Sequence, residues 1–282
     1  MWFLYAILGA FITGIGQVLV KRGQVKLTPL LDNLLATIIV SLILVPLLFL
    51  WGIDIAAGRT ILIYALIAAT MYASFYYIIS FGNVSLMVSL INTFPIVTIA
   101  LAVIYLRESP NLYQWFGIVL VVLGALCISR ENPEKEVVNK KRLWVIWGLL
   151  GSLAIGIAEF VTKLATIKVD GFTFTFFVYL MYIPALLLFM AIDRRGRKFE
   201  KLKNQTSLLF TLIGIFFIEA GLIAIALAYQ HGQASLVSPV VSTHMLITVL
   251  LAAFFLKERL LTIQRIGILF TLIGVSVIGI WS

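Results

Sequence analysis

The chain has 282 residues, of which 62% are hydrophobic and only 12% charged, with a mean hydropathy of +1.11. A water-soluble domain carries about 25% charged residues, so a soluble fold is excluded and lipid must be the main solvent. The net charge of +9 sits in short stretches between apolar runs, the usual place for topology-setting charges, and nucleic acid is not an expected partner.

A membrane-spanning helix needs about 20 apolar residues, and charges, glycines and prolines divide the chain into ten runs of that kind. Segment 1 spans Trp2 to Val20 and closes at Lys21-Arg22-Gly23. No basic stretch precedes it, so a retained helix is expected rather than a cleaved signal peptide. Segment 2 spans Leu30 to Trp51, Gly52 to Arg59 forms a polar loop, and segment 3 spans Thr60 to Phe81. Gly82-Asn83 is a tight turn before segment 4, Val84 to Leu106; segment 5 covers Leu112 to Ser129. It contains Cys127, the single cysteine, so neither an intramolecular disulfide nor a cysteine metal cluster is expected. Residues 130–142 are charged and poor in apolar groups and form a linker. Segment 6 spans Leu143 to Thr166, segment 7 Gly171 to Ile192, and a basic loop runs from Asp193 to Gln205. Segment 8 spans Thr206 to Tyr229, His231-Gly232 marks a turn, and segments 9 and 10 span Ala234 to Leu256 and Leu261 to Trp281.

The chain repeats itself. Residues 82–124 align without gaps on 232–274, at an offset of 150. Gly82, Ser85, Leu86, Thr93 and Thr98 match Gly232, Ser235, Leu236, Thr243 and Thr248. Leu106-Arg107-Glu108 matches Leu256-Lys257-Glu258, and Gln114, Gly117 and Gly124 match Gln264, Gly267 and Gly274. Nearer the start of each half the offset is 142: Gly9, Gly14 and Lys21 match Gly151, Gly156 and Lys163, while Gln17 faces Glu159. Two five-helix repeats follow, residues 1–129 and 143–282. Five is odd, so the second repeat enters the membrane from the opposite side. The expected fold is all-α, with ten transmembrane helices as two inverted five-helix repeats, an architecture of transporters that alternate access around a midplane site. Of the 21 Lys and Arg residues, 17 fall on the side of the loops after segments 1, 5, 7 and 9, with Arg265 in the first turns of segment 10 counted with the last. The positive-inside rule makes that side cytoplasmic and sends both termini outward, in a prokaryotic plasma (inner) membrane.

A short turn, Ser-Leu, an apolar helix, Leu-Arg/Lys-Glu and a Gln-x-x-Gly opening the next helix together resemble the drug/metabolite transporter superfamily, in particular its ten-helix EamA branch. The second copy is especially similar: Gly232 to Leu236, Phe255 to Arg259, then Gln264 and Gly267. The resemblance covers both halves. It implies a central cavity lined by segments 1, 3, 4, 6, 8 and 9, and import or export of a small metabolite. Glu219 departs from the pattern, standing where such proteins carry small or apolar residues, and His244 stands where a proline is common. Relatives often have cytoplasmic termini, opposite to the charge count.

Ionisable groups inside a bilayer cost about 2.5–3.5 kcal/mol each on insertion scales, so each one needs a reason. Glu219 and His244 lie mid-segment on neighbours joined by a short turn, which predicts a titratable pair facing the cavity, binding a cation or relaying protons. A buried structural hydrogen bond is the alternative. Glu159 and Lys163 are four apart on segment 6 and can pair, either pointing into the bundle or as an interfacial ion pair with a snorkelling lysine. They lie on one stripe with Ser152 and Gly156, repeated on segment 1 by Ala10, Gly14, Gln17 and Lys21. Tyr72 and Tyr76 offer aromatic faces and hydroxyls on segment 3, and Asn92 on segment 4 matches Ser242 on segment 9. Pro95, Pro184 and Pro239 are expected kinks. Glu108 and Glu258 read as interfacial architecture, and the seven-residue glycine spacings of segments 5 and 10 as a packing seam.

These features point to a secondary transporter of a small polar or amphipathic metabolite such as an amino acid, with protons as candidate coupling ions. Organic cations or drugs are the alternative substrates. No Walker motif is present, so no ATP chemistry is expected of this chain, nor any cofactor or metal. Expected partners are a small-molecule substrate and the lipid bilayer, in a monomer or weak homodimer. An integral-membrane enzyme or an assembly factor would be the other classes. Two histidines and one cysteine with no H-E-x-x-H argue against the enzyme.

Overall fold

The computed structural model describes residues 1–23, 29–79, 90–129, 143–192, 205–255 and 260–282. All regular structure among them is helical: α1 (Trp2–Gly23), α2 (Pro29–Trp51), α3 (Ile55–Arg59), α4 (Leu62–Ile79), α5 (Phe94–Tyr105), α6 (Leu112–Ile128), α7 (Leu143–Thr166), α8 (Gly171–Ile192), α9 (Gln205–His231), α10 (Ala234–Val241), α11 (His244–Phe255) and α12 (Thr262–Ile280). Among the described residues six spans are long and apolar enough to cross a membrane, the α10–α11 stretch counted as one; α4, α5 and α6 are shorter apolar helices, and α2 contributes the apolar stretch 33–46. The outer faces are apolar, with Leu4, Leu42, Ile63, Phe254 and Ile280 each at least 70% exposed, as suits a surface solvated by lipid rather than water.

Three predictions about continuity are corrected, those for the Gly52–Arg59 loop and for segments 9 and 4. The loop from Gly52 to Arg59 contains a short helix, α3, whose N-cap Asp54 accepts from Ala57 N at 2.8 Å. Segment 9 is not one helix: Ser242 and Thr243 interrupt it between α10 and α11. The same interruption stands 150 residues earlier, where Asn92 and Thr93 precede α5. In both copies the threonine hydroxyl returns to a carbonyl three residues back, Thr93 to Leu90 O at 2.7 Å and Thr243 to Val240 O at 2.6 Å. Such back-bonding competes with the helical ladder. In the first copy Pro95 follows, at the start of α5, and cannot donate a ladder bond. In the second, Met245 holds that position and Ser242 adds its own bond to Pro239 O at 2.7 Å. Pro184 does not interrupt α8.

Close approach of backbones sets the long seams. A Cβ on Gly117 would lie 2.8 Å from Gly274 O, and one on Gly274 2.7 Å from Gly117 O; Gly124 and Gly267 repeat the pair at 2.8 and 2.7 Å. The indices run in opposite senses, so α6 and α12 are antiparallel and touch where only glycine fits. Their ends are tied by matching glutamines: Gln114 Nε2 donates to Trp281 O (2.9 Å), and Gln264 Nε2 to Ile128 O (3.3 Å). A second antiparallel seam joins α1 and α9 through Gly9 with Gly221 and Gly16 with Gly214.

Two large apolar cores result, with two smaller clusters beside them. Ile61, Ala65, Ala69 and Ala73, on and just before α4, meet Phe174, Phe177 and Tyr179 of α8 with Val161 and Ala165 of α7, small residues on one helix receiving aromatic ones from the other. The second core gathers Ala6 of α1, Val121 of α6, Ile225 and Tyr229 of α9, Val237 and Val240 of α10, and Ile278 of α12.

Candidate functional site

Polar groups concentrate where the two cores meet. Glu159 on α7 is buried, and its Oε2 accepts three hydroxyls: Tyr229 of α9 at 2.6 Å, Ser238 of α10 at 2.7 Å and Thr98 of α5 at 3.4 Å. Glu219 on α9 is 3% exposed and accepts from the Tyr179 hydroxyl of α8, its single hydrogen-bond partner among the described residues. Tyr72 on α4 and Thr162 on α7 face the space beside them. Beside these groups lies a small, partly open cavity lined by Tyr72, Thr162, Thr175, Tyr179, Leu222 and Ala226 among others. Tyr179 stacks on Tyr182 with ring centroids 5.2 Å apart.

The predicted pairs are not the ones that form. Glu219 does not meet His244; it meets Tyr179, because the face of α9 that carries it is turned to α8, while His244 opens α11 beside α1. His244 Nδ1 lies 3.3 Å from Gln17 Oε1 of α1, and the Thr248 hydroxyl lies 2.8 Å from the same oxygen. Glu159 does not pair with Lys163. The lysine Nζ donates instead to Tyr229 O (2.9 Å) and Gly232 O (2.7 Å), at the C-terminus of α9, where free carbonyls and the helix dipole favour a cation. Ser242 shapes the helix break, and Asn92 sits in the equivalent turn. The side chain of Tyr76 lies outside the described residues, as do Gly82, Ser85, Leu86, Leu256, Lys257, Glu258, the 130–142 linker and most of the Asp193–Gln205 loop.

Glu108 has a more definite role than interfacial architecture. Arg107 takes φ 53°, a left-handed conformation costly for a non-glycine residue. The turn carries Glu108 to the start of α10, where it accepts Ala234 N (2.9 Å), Ser235 N (2.8 Å) and the Ser235 hydroxyl (2.6 Å). A carboxylate satisfying the orphan amides of a helix N-terminus is stabilising. The repeated Leu-Arg/Lys-Glu motif thus acts, in its first copy, as a cap on the other half's helix.

Sequence reasoning missed Tyr179, Tyr182, Tyr229, Ser238 and Thr98 as members of the site. A buried tyrosine hydroxyl needs a partner, and that rule, applied to the tyrosines in apolar runs, was the available signal.

The EamA-like transporter family model matches residues 1–130 and again residues 142–280. The chain belongs to the EamA-like transporter family, within the drug/metabolite transporter superfamily. An uncharacterized protein of Methanocaldococcus jannaschii is 29% identical over 133 residues, which is 46% of this chain and 96% of that relative. A solved crystal structure aligns over 96% of this chain and 94% of its own, with a TM-score of 0.79 and 10% identity, a likeness of fold. EamA-family membership accords with an integral membrane transporter rather than an enzyme.

Proposed function

We propose that this EamA-family protein is a secondary transporter that moves a small polar or amphipathic solute by alternating access, with the solute bound in the cavity between α4, α7, α8 and α9. The observation that carries the reading is the pair of buried carboxylates, Glu159 and Glu219, partnered by neutral hydroxyls and by no cation among the described residues. Hydroxyl dipoles alone poorly balance a charge in a low-dielectric interior. Charge balance then calls for a proton or a cationic solute at each carboxylate, the property that couples solute movement to an ion.

The scaffold we propose is ten membrane helices in two inverted halves, 1–129 and 143–282, joined by the 130–142 linker. Support comes from the antiparallel α6–α12 seam with its reciprocal glycine contacts, from helix breaks 150 residues apart, and from a relative aligned over 96% of its length with less than half of this chain. Both termini face outward from a prokaryotic inner membrane by the basic-loop count. Reporter fusions in residues 130–142 and 193–204 then both read cytoplasm; opposite readings break the ten-helix count.

The test of function is substrate-driven flux in proteoliposomes, comparing wild type with Glu219→Gln from mildly acid to mildly alkaline pH. The amide keeps size and hydrogen bonding but can neither release a proton nor neutralise a cation. Loss of flux or of its pH dependence at unchanged thermal stability is expected. Unchanged flux and pH profile would remove Glu219 from the mechanism.

A further inference from the structure

We infer that the Glu219–Tyr179 pair anchors the ammonium of a small organic amine with an apolar or aromatic body, and that a carboxylate on the solute excludes it; this rests on the transporter reading above. Glu219 is one hydrogen bond behind the cavity wall, through Tyr179, and among the described residues no Lys, Arg or His lines the cavity. The lysine on α7, Lys163, is turned onto Tyr229 O and Gly232 O, and His244 is engaged with Gln17 of α1. A zwitterionic solute would bring its own carboxylate into a site that already holds two and offers it no cation.

The two carboxylates are not equivalent. Glu159 Oε2 receives three hydroxyls from three helices, whereas Glu219 receives only that of Tyr179 among the described residues. A carboxylate has about four acceptor sites, so Glu219 is the one with capacity for an incoming N–H donor. Tyr179 also lines the cavity, which puts its partner just behind the cavity wall. The rest of the surroundings suit an amine's body: the stacked Tyr179 and Tyr182 rings and Tyr72 offer π faces to a cation, and Leu222 and Ala226 offer apolar wall. The cavity is small, so the probes are kept to one-ring solutes.

The experiment uses the full-length purified protein and a matched set of probes: phenethylamine, phenylalanine and 3-phenylpropionate. Binding is read by thermal stabilisation and calorimetry, and flux in proteoliposomes. The expected result is that phenethylamine binds at least about tenfold tighter than phenylalanine, roughly 1.4 kcal/mol, with no binding of the acid, and that Glu219→Gln weakens the amine by at least about tenfold. The probe ranking on wild-type protein stands even where that variant fails to fold. Phenylalanine or the acid binding as well as the amine, no probe binding at all, or amine binding indifferent to Glu219→Gln overturns the assignment. Amine binding without flux leaves the anchor standing and overturns the transporter reading; flux of phenylalanine without the amine does the reverse.

Discussion

Glu159 on α7 and Gln17 on α1 occupy matching positions of the repeat, and the frame around them is the same. Thr98 lies 3.2 Å from Gly156 O and 3.4 Å from Glu159 Oε2; Thr248 lies 3.4 Å from Gly14 O and 2.8 Å from Gln17 Oε1. A Cβ on Gly156 would strike Val97 and Phe94 O, and one on Gly14 would strike Ile247 and His244 O, again residues 150 apart. What differs is the chemistry set into that frame. The α7 corner holds a carboxylate with Tyr229 and Ser238, whereas the α1 corner holds an amide with an imidazole. The position 150 before Glu219 is Ala69, and α1, α4 and α5 carry no acid. Glycine and threonine keep the helices in contact in both halves, and the acidic groups of the site stand in one half only. Duplication supplies the scaffold, and divergence at few positions supplies the site.

Making the two corners alike should have the largest effect. Glu159→Gln gives α7 the residue found on α1. Hydrogen bonds to a charged group contribute about 1.5–3 kcal/mol, so the initial rate of flux in proteoliposomes should fall about 10- to 100-fold with the fold intact. A near wild-type rate would mean that the acidic corner is structural. Next comes the seam that holds the halves together. Gly274→Val puts side-chain atoms against Gly117 O, already 2.7 Å from where the Cβ would sit, and overpacking of this kind costs about 1–3 kcal/mol. A lowered melting temperature in detergent is the expected reading, and an unchanged one would show that α6 and α12 separate freely.

The seam was legible in the sequence and the site only partly so. Glycines seven apart announce a smooth stripe whatever they touch, and identical glycines at a 150-residue offset announce the partner. Glu159 and Glu219 were found because an acid in an apolar run needs a reason, and Tyr72 because its ring and hydroxyl suit a cation. Their partners were not found, because hydrogen bonding across helices depends on rotation and depth, which periodicity does not give. Lys163 shows the difficulty: four residues from Glu159, it satisfies α9 carbonyls instead, since a flexible ammonium follows the nearest unpaired acceptors. The α10–α11 break was hidden for a similar reason, for Ser242 and Thr243 are ordinary helix residues until their hydroxyls turn back on the ladder.

A smaller effect is expected of Tyr229→Phe. It deletes the 2.6 Å bond to Glu159 and keeps the ring, while Ser238 and Thr98 still reach the carboxylate. Loss of one donor to a buried acceptor costs about 1–3 kcal/mol, to be read in both melting temperature and flux. A loss as large as that of Glu159→Gln would make the tyrosine hydroxyl, and not the carboxylate alone, the functional group.

The smallest effect is predicted at the neutral corner, and it probes the comparison from the other side. His244→Phe gives α11 the residue that α5 carries at Phe94. The substitution removes the 3.3 Å approach of Nδ1 to Gln17, which is longer than a well-formed N–H···O bond of about 2.9–3.0 Å. Gln17 keeps its 2.8 Å bond with Thr248, so the amide stays satisfied. Flux should change by less than about threefold, under roughly 0.7 kcal/mol, and its pH profile should not move. The aromatic replacement fills the space of the ring, so a stability change large enough to confuse the reading is not expected. A pH profile displaced by His244→Phe would place a titrating group in the first half as well as the second, and the division into a charged half and a neutral half would fall, while the shared frame of Gly14, Gly156, Thr98 and Thr248 would stand.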